Sequence, residues 1–284
     1  MTENNAVLNR FFTYRVLLDA ISDNDNPIYG TVIKRYVTDP EDKDNGKIIS
    51  EIYEFMSKNY RNEYFYQNTL LNKLLLGKHS VKTTTALRQL PIGKSKADFV
   101  LINGKAVVYE IKTELDTLER LEVQVKDYYR AFDHVCIVTS KSHYYQAVRI
   151  LSDTPVGIYV LTQHNTISST LRKEPAQNNA FLNHITIFKL LRKSEYQNIV
   201  FQYYGKLPDV PQAFYYDACL EQFSNIPIVE AYNMTLKELK KRNKITMTEL
   251  NAVPYELKSL AYFSEFSELN WKKFAKFLSR KYGR

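Results

Sequence analysis

The sequence has little of what several classes of protein require. Its only two cysteines, Cys136 and Cys219, lie far apart along the chain, so we expect neither a disulfide framework nor a zinc cluster. A reducing cytoplasm suits such a chain best. No apolar run approaches the roughly 20 residues that span a bilayer, and the first residues, MTENNAVLNRFF, lack the pattern of a secretion signal. We therefore expect a cytoplasmic protein without a membrane segment.

Positive charge, by contrast, is in excess. The 284 residues carry a formal net charge of +8 at pH 7, which favours a polyanionic partner such as nucleic acid. Two basic stretches, LKKRNK (239–244) and WKKFAKF (271–277), are candidates for contact with phosphates, and the second also interleaves aromatic residues.

Hydrophobic periodicity divides the chain into three parts. Residues 1–60 read as an N-terminal helical segment with loops, residues 61–165 as an α/β core, and residues 166–284 as a mostly helical region. The core pattern predicts a sheet flanked by helices on both faces. Its predicted strands span 82–90, 96–102, 105–112, 134–139 and 156–162, with helices over 62–77, 116–132 and 143–151.

The stretch ADFVLINGKAVVYEIK (97–112) reads as an apolar hairpin that carries charges at its ends. Glu110 and Lys112 lie two apart on one strand and so share a face. Asp98 joins that face only if the turn has an odd number of residues or the hairpin contains a bulge. We predict a three-residue turn over 102–104 with Gly104 in the left-handed conformation, which pairs Leu101 with Lys105.

Two acids and an amine that converge at one end of a sheet suit one kind of chemistry. Carboxylates alone repel each other and raise each other's pKa. A divalent cation that takes their oxygens as ligands removes this repulsion. A water molecule beside such a cation becomes a better nucleophile. The Lys112 ammonium could then offset charge that develops on a phosphodiester.

The spacing of Asp98 and Glu110-Ile111-Lys112 resembles the PD-(D/E)XK nuclease superfamily, although Ala97 stands where the motif has proline. The resemblance implies a restriction-endonuclease-like core in which Asp98, Glu110 and the Ile111 backbone carbonyl bind Mg²⁺, with Mn²⁺ as a substitute, and Lys112 assists catalysis. Residues 88–162 further resemble a small family of bacterial and phage-associated nucleases.

Several further residues are candidates for the same site. The resemblance adds Gln124 and, four residues later, Tyr128 on the helix that follows the catalytic strand. Gln124 also flanks the apolar stripe of that helix and therefore needs a buried partner. Asp116 and Arg120 continue the spacing of four residues, so Arg120 could face phosphate while Asp116 holds it.

An upstream acid is expected as well. The superfamily often supplies one from the helix before the first strand, and Glu63 is the first candidate for this position. Glu54 is the alternative, and the sequence does not decide between them.

The sequence thus predicts a metal-dependent nuclease that acts on DNA in preference to RNA, in a phage-defence or mobile-element setting. A homodimer, or a protein partner bound through the C-terminal helices, would be compatible with this function. The alternative is a non-catalytic nucleic-acid-binding or structural protein that retains the nuclease fold.

Overall fold

A computed structural model describes residues 5–77, 81–243 and 245–283. Its six strands form one sheet in the order β1-β2-β3-β4-β5-β6. The strands are β1 (Thr85–Ile92), β2 (Ser95–Asn103), β3 (Lys105–Lys112), β4 (His134–Thr139), β5 (Gly157–Leu161) and β6 (Ile167–Lys173). Strands β3, β4 and β5 are parallel, and the other neighbouring pairs are antiparallel. The predicted α/β class with a mixed, helix-flanked sheet is confirmed.

Among the described residues, five α-helices precede the sheet, and two connect its parallel strands. The first five are α1 (Leu8–Phe11), α2 (Tyr14–Ile21), α3 (Pro27–Tyr36), α4 (Asn45–Asn59) and α5 (Glu63–Leu70), with a π-helical segment at Leu71–Leu76. The crossover helices are α6 (Leu121–Tyr129) and α7 (Lys141–Ile150). Side-chain oxygens of Thr13, Asn26, Asp44 and Asn62 cap the first turns of α2 to α5, as expected of these residue types.

The chain after the sheet is helical in its described part. Its helices are α8 (His184–Phe188), α9 (Lys193–Tyr204), α10 (Tyr215–Ser224), α11 (Ile228–Lys240), α12 (Met247–Asn251), α13 (Lys258–Tyr262) and α14 (Glu268–Ser279). Short 3₁₀ helices occupy Asn5–Val7, Pro40–Asp42, Gln212–Phe214 and Tyr255–Leu257. Of the helices in the described ranges, none combines the length and apolar character that crossing a bilayer requires.

Each face of the sheet covers its own hydrophobic core. On one face Val107, Tyr109 and Ile111 pack against α1 to α5 together with α12 to α14. On the other face Val108 and its neighbours pack against α6, α7 and α8 to α11. Alternation along β3 therefore sends Glu110 and Lys112 to the face of the second core, beside α6.

Several element bounds differ from those predicted. Helix α6 runs from Leu121 to Tyr129 rather than over 116–132, although its apolar stripe is buried as predicted. The apolar pattern predicts neither α3 nor α9, nor the strand β6, which pairs with β5 and extends the sheet beyond residue 165.

Candidate active site

The β2–β3 hairpin turns at Gly104 and brings two acids face to face. Asn103 pairs with Lys105, and Gly104 has a φ of +72°. Continuing the register one residue beyond Phe99–Tyr109 sets Asp98 opposite Glu110, where the Cβ atoms of such neighbours are roughly 5 Å apart. The predicted odd-numbered turn is confirmed. The predicted pairing of Leu101 with Lys105 is wrong, because Leu101 pairs with Val107.

Glu110 is the most deeply buried acid of the site, with only 2% of its surface exposed. Lys112 Nζ lies 2.9 Å from Glu110 Oε1. Gln124 donates from its amide to the same oxygen, and the Tyr128 hydroxyl donates to Oε2. A buried carboxylate requires such donors because it has lost its hydration. The structure thus brings the predicted residues Gln124 and Tyr128 to Glu110.

One atom of this cluster has no partner. Gln124 Oε1 is buried and accepts no hydrogen bond from the described residues. Since a buried acceptor without a donor costs free energy, Gln124 Oε1 could accept from one more donor or bind a cation beside Glu110.

Asp98 is half-buried and holds its proton unusually tightly. The backbone N–H of Ile111 donates to Asp98 Oδ2 over 2.8 Å, so the Ile111 backbone lies next to this carboxylate. Burial, followed by the charges of Glu110 and Glu63, raises the pKa of Asp98 to about 8. The Ile111 hydrogen bond and Lys112 act in the opposite direction but offset only part of the rise. Without a cation, the site therefore favours a neutral Asp98 at pH 7.

Glu63, rather than Glu54, is the upstream acid near this cluster. Glu63 Oε1 accepts hydrogen bonds from Gln67 Nε2 at 2.7 Å and from Gln89 Nε2 at 2.9 Å. Burial raises the pKa of Glu63, and the charges of Asp116 and Glu110 raise it further. Glu54 is exposed and pairs with Lys58 on its own helix.

Gln89 is a residue of the site that the sequence does not reveal. It lies inside β1 with a φ of +52°, between the pairs Arg88–Phe99 and Leu90–Ala97, and so opposite Asp98. Positive φ is costly for a residue with a side chain, and such strain concentrates at functional sites. Because no sequence signal marks positive φ at a glutamine, only the structure could identify this residue.

The proposed role of Asp116 in holding Arg120 is wrong. Asp116 precedes α6, and its Oδ2 accepts hydrogen bonds from Thr113 N at 2.8 Å and Thr113 Oγ1 at 2.7 Å. Arg120 is exposed and occupies the N-cap position of α6. These side-chain bonds satisfy the backbone just after β3 and delay the start of the helix.

The donor set suits a cation that retains much of its hydration. In the described part of the chain, no group of three or more His, Cys, Asp and Glu side chains could hold a metal ion. What the site offers is two facing carboxylates, Asp98 and Glu110, with the Ile111 backbone and the unpartnered Gln124 Oε1 beside them. Mg²⁺ is commonly bound by one or two carboxylates and several waters, so these residues fit it chemically.

The fold and the site together describe an α/β protein with a mixed sheet and a buried acid–amine cluster at the end of a hairpin. Residues 56–264 match the family model described as Bacteriophage P4 protein cII, so the chain belongs to this family. The matched range includes the whole sheet and the site from Glu63 to Tyr128. No curated protein and no solved structure matches the chain.

Proposed function

We propose that the protein is a metal-dependent nuclease that hydrolyses phosphodiester bonds, in DNA in preference to RNA. One observation carries the proposal: Asp98 lies one residue beyond the last β2–β3 pair, where the charge of Glu110 acts on it, and Lys112 Nζ lies 2.9 Å from Glu110 Oε1. Two acids and one amine on a single sheet face are the residue types that this hydrolysis requires. The resemblance of these residues to the PD-(D/E)XK motif supports the same function.

A restriction-endonuclease-like core is part of the proposal. Its support is the order of elements around the site: an antiparallel hairpin carries the acids, and the second strand continues through α6 into the parallel strand β4. Helix α6 contributes Gln124 and Tyr128 to Glu110, as the resemblance implies.

Asp98, Glu110 and the Ile111 carbonyl would hold Mg²⁺, or Mn²⁺ in its place. When bound, such a cation lowers the pKa of a water molecule and neutralises phosphate charge. Lys112 supplies a fixed ammonium group that stabilises negative charge developing on the phosphate. Gln124 and Tyr128 keep Glu110 in position through their hydrogen bonds, and Glu63 adds a third carboxylate near them.

The proposed partner and setting follow from charge and family. The net charge of +8 favours binding of nucleic acid. A family described by a bacteriophage protein is compatible with a phage-defence or mobile-element role. We further propose a cytoplasmic protein, whose two buried cysteines are free, and a second copy or a protein partner bound through the C-terminal helices.

A second candidate is a non-catalytic nucleic-acid-binding or structural protein that retains this fold. One observation favours it: Lys112, Gln124 and Tyr128 already provide hydrogen bonds to both Glu110 oxygens. A cluster of this kind could stabilise the sheet end without turning over a substrate.

Cleavage assays separate the two candidates. Plasmid, linear and single-stranded DNA, and RNA, are incubated with the protein in Mg²⁺, in Mn²⁺ and in EDTA. We expect cleavage only with a divalent cation. Lys112→Ala should lower the rate by about two to three orders of magnitude, because it removes a group that stabilises the transition state.

Lys105→Ala is the matched control, since Lys105 is an exposed lysine at the opposite end of the same strand. It should cleave at the wild-type rate. Binding without cleavage under every condition would favour the non-catalytic candidate, and wild-type cleavage by Lys112→Ala would overturn the proposed site.

A further inference from the structure

A second concave surface adjoins the active site along β1. Arg88, Arg192, Phe263, Phe266 and Trp271 are among its lining residues, and we call it the arginine–aromatic hollow. The motif WKKFAKF supplies its tryptophan, and the other basic stretch supplies Arg242, although Lys244 of that stretch lies outside the described residues.

Arg88 is the cation at the centre of this hollow. It is half-buried, and its guanidinium lies over the Phe263 ring, 5.0 Å from the centroid. Burial lowers the pKa of Arg88, and no carboxylate of the described residues forms an ion pair with it. The charge of Glu63 acts on Arg88 from a distance but does not pair with it. A partly desolvated guanidinium whose donors are not taken up by a carboxylate favours binding of an anion such as phosphate.

Three half-buried rings complete the hollow. Phe266 and Trp271 pack edge to face with their centroids 5.2 Å apart, and Phe263 lies beneath Arg88. Aromatic rings and guanidinium planes are the surfaces on which unpaired bases stack. Bases within a duplex are already stacked on their neighbours, so a ring set in a hollow discriminates in favour of an unpaired strand.

The other charges of the hollow are largely engaged. Arg242 also lines it but pairs with Glu195, and Glu249 Oε2 accepts hydrogen bonds from Thr246 at the start of α12. Glu195 also interacts with the charge of Arg192, and the exposed Glu265 lines the hollow beside them.

The hollow is connected to the active site through Arg88. The same residue also lines the depression that contains Glu63, Gln89 and Asp116. Its neighbour in β1, Gln89, donates to Glu63. A strand whose phosphate contacts Arg88 could therefore reach both surfaces.

We propose that the arginine–aromatic hollow binds an unpaired nucleotide of the substrate strand, next to the phosphodiester that is cleaved. Arg88 binds the phosphate and the rings receive the base. This inference rests on the proposed nuclease function, and it narrows the substrate to single-stranded nucleic acid or to a duplex with an unpaired segment.

Trp271 is the only tryptophan of the sequence and reports directly on the hollow. Wild-type protein in EDTA is titrated with a short single-stranded DNA oligonucleotide and, separately, with the same sequence as a duplex, while tryptophan fluorescence and the anisotropy of a labelled strand are recorded. We expect the single strand to change the Trp271 emission and to bind more tightly than the duplex.

Variants then test the two contacts. Arg88→Ala and Phe263→Ala should each raise the Kd for the single strand about tenfold, and Arg88→Lys should recover part of the loss for Arg88. Arg149→Ala, which removes an exposed arginine of α7, is the matched control and should bind as the wild type does. Circular dichroism establishes that each variant is folded.

The inference and the proposed function can fail separately. If the wild type cleaves DNA but Arg88→Ala and Phe263→Ala retain wild-type affinity, or Trp271 emission does not respond, the hollow is not the binding site and the inference is overturned. If no cleavage occurs but the single strand binds with the expected losses, the hollow is a binding site for an unpaired nucleotide and the nuclease proposal fails.

Discussion

At the scale of single residues, the site was predictable where side-chain chemistry is unusual. Asp98, Glu110 and Lys112 are charged residues in an apolar hairpin, and burial of such groups requires a reason. Gln124 could be assigned to the site for a similar reason, because a polar side chain beside the apolar stripe of a helix needs a buried partner. Gln89 could not, because its role depends on a backbone conformation that glutamine rarely adopts.

Asp98 gives the protein a specific dependence on pH. Its pKa is about 8 in the folded protein, against about 3.9 for an unfolded aspartate. Between these values the folded state binds more protons than the unfolded state, so this residue lowers the free energy of unfolding as pH rises, until the effect levels off above pH 8.

Asp98→Asn should therefore gain stability relative to the wild type as pH rises from about 4 to about 8. Urea denaturation in EDTA across this pH range measures the difference. Asp209→Asn, at an exposed position, should show no such trend. A difference between Asp98→Asn and wild type that does not change with pH would show that Asp98 has an ordinary pKa.

At the scale of elements, the apolar strands and the crossover helix were predictable. The residues at which they begin and end were not, because these depend on polar side chains. Helix α6 starts late because Asp116 binds Thr113. An Asn-Pro pair that resembles a turn stands at the start of helix α3: Asn26 caps the helix and Pro27 is its first residue. Strand β6 is half-exposed along its length, so it lacks the continuous apolar run of its neighbours.

The turn of the β2–β3 hairpin depends on the left-handed conformation of Gly104. Gly104→Ala should lower the free energy of unfolding by about 1 kcal/mol, since a side chain is disfavoured at this φ. Nothing lies within 4 Å of the added Cβ, so the cost is one of backbone conformation rather than of packing. Chemical denaturation measures it.

Gly30→Ala is a control that should change the free energy of unfolding in the opposite direction. Gly30 lies inside α3, and its added Cβ also meets nothing within 4 Å. The substitution should raise the free energy of unfolding by roughly 0.5–1 kcal/mol. Equal effects at both positions would contradict the turn geometry on which the alignment of Asp98 with Glu110 depends.

At the scale of the whole molecule, the first core unites segments from both ends of the described chain. Asn45 Nδ2, at the start of α4, donates to the backbone oxygens of Phe277 and Arg280 at 3.1 and 2.9 Å. Phe277 of α14 also packs near Tyr29 of α3. The helices α4 and α14 could be predicted, but their partners could not, because periodicity identifies a buried face without identifying what covers it.

Phe277→Ala should lower the free energy of unfolding by about 3–5 kcal/mol, the cost of truncating a buried aromatic ring. Leu269→Ala, on the same helix at a side chain that is 62% exposed, should change it by less than about 0.5 kcal/mol. Denaturant titrations followed by circular dichroism compare the two. Similar small losses would show that α14 contributes little to this core.

The most direct test measures the affinity for Mn²⁺ by isothermal titration calorimetry near pH 8. We expect the wild type to bind the cation, and Asp98→Asn and Glu110→Gln each to lower its affinity more than about tenfold. Asp209→Asn should bind Mn²⁺ as the wild type does. Unchanged Mn²⁺ affinity in Asp98→Asn and Glu110→Gln would contradict the claim that these two acids hold the catalytic ion.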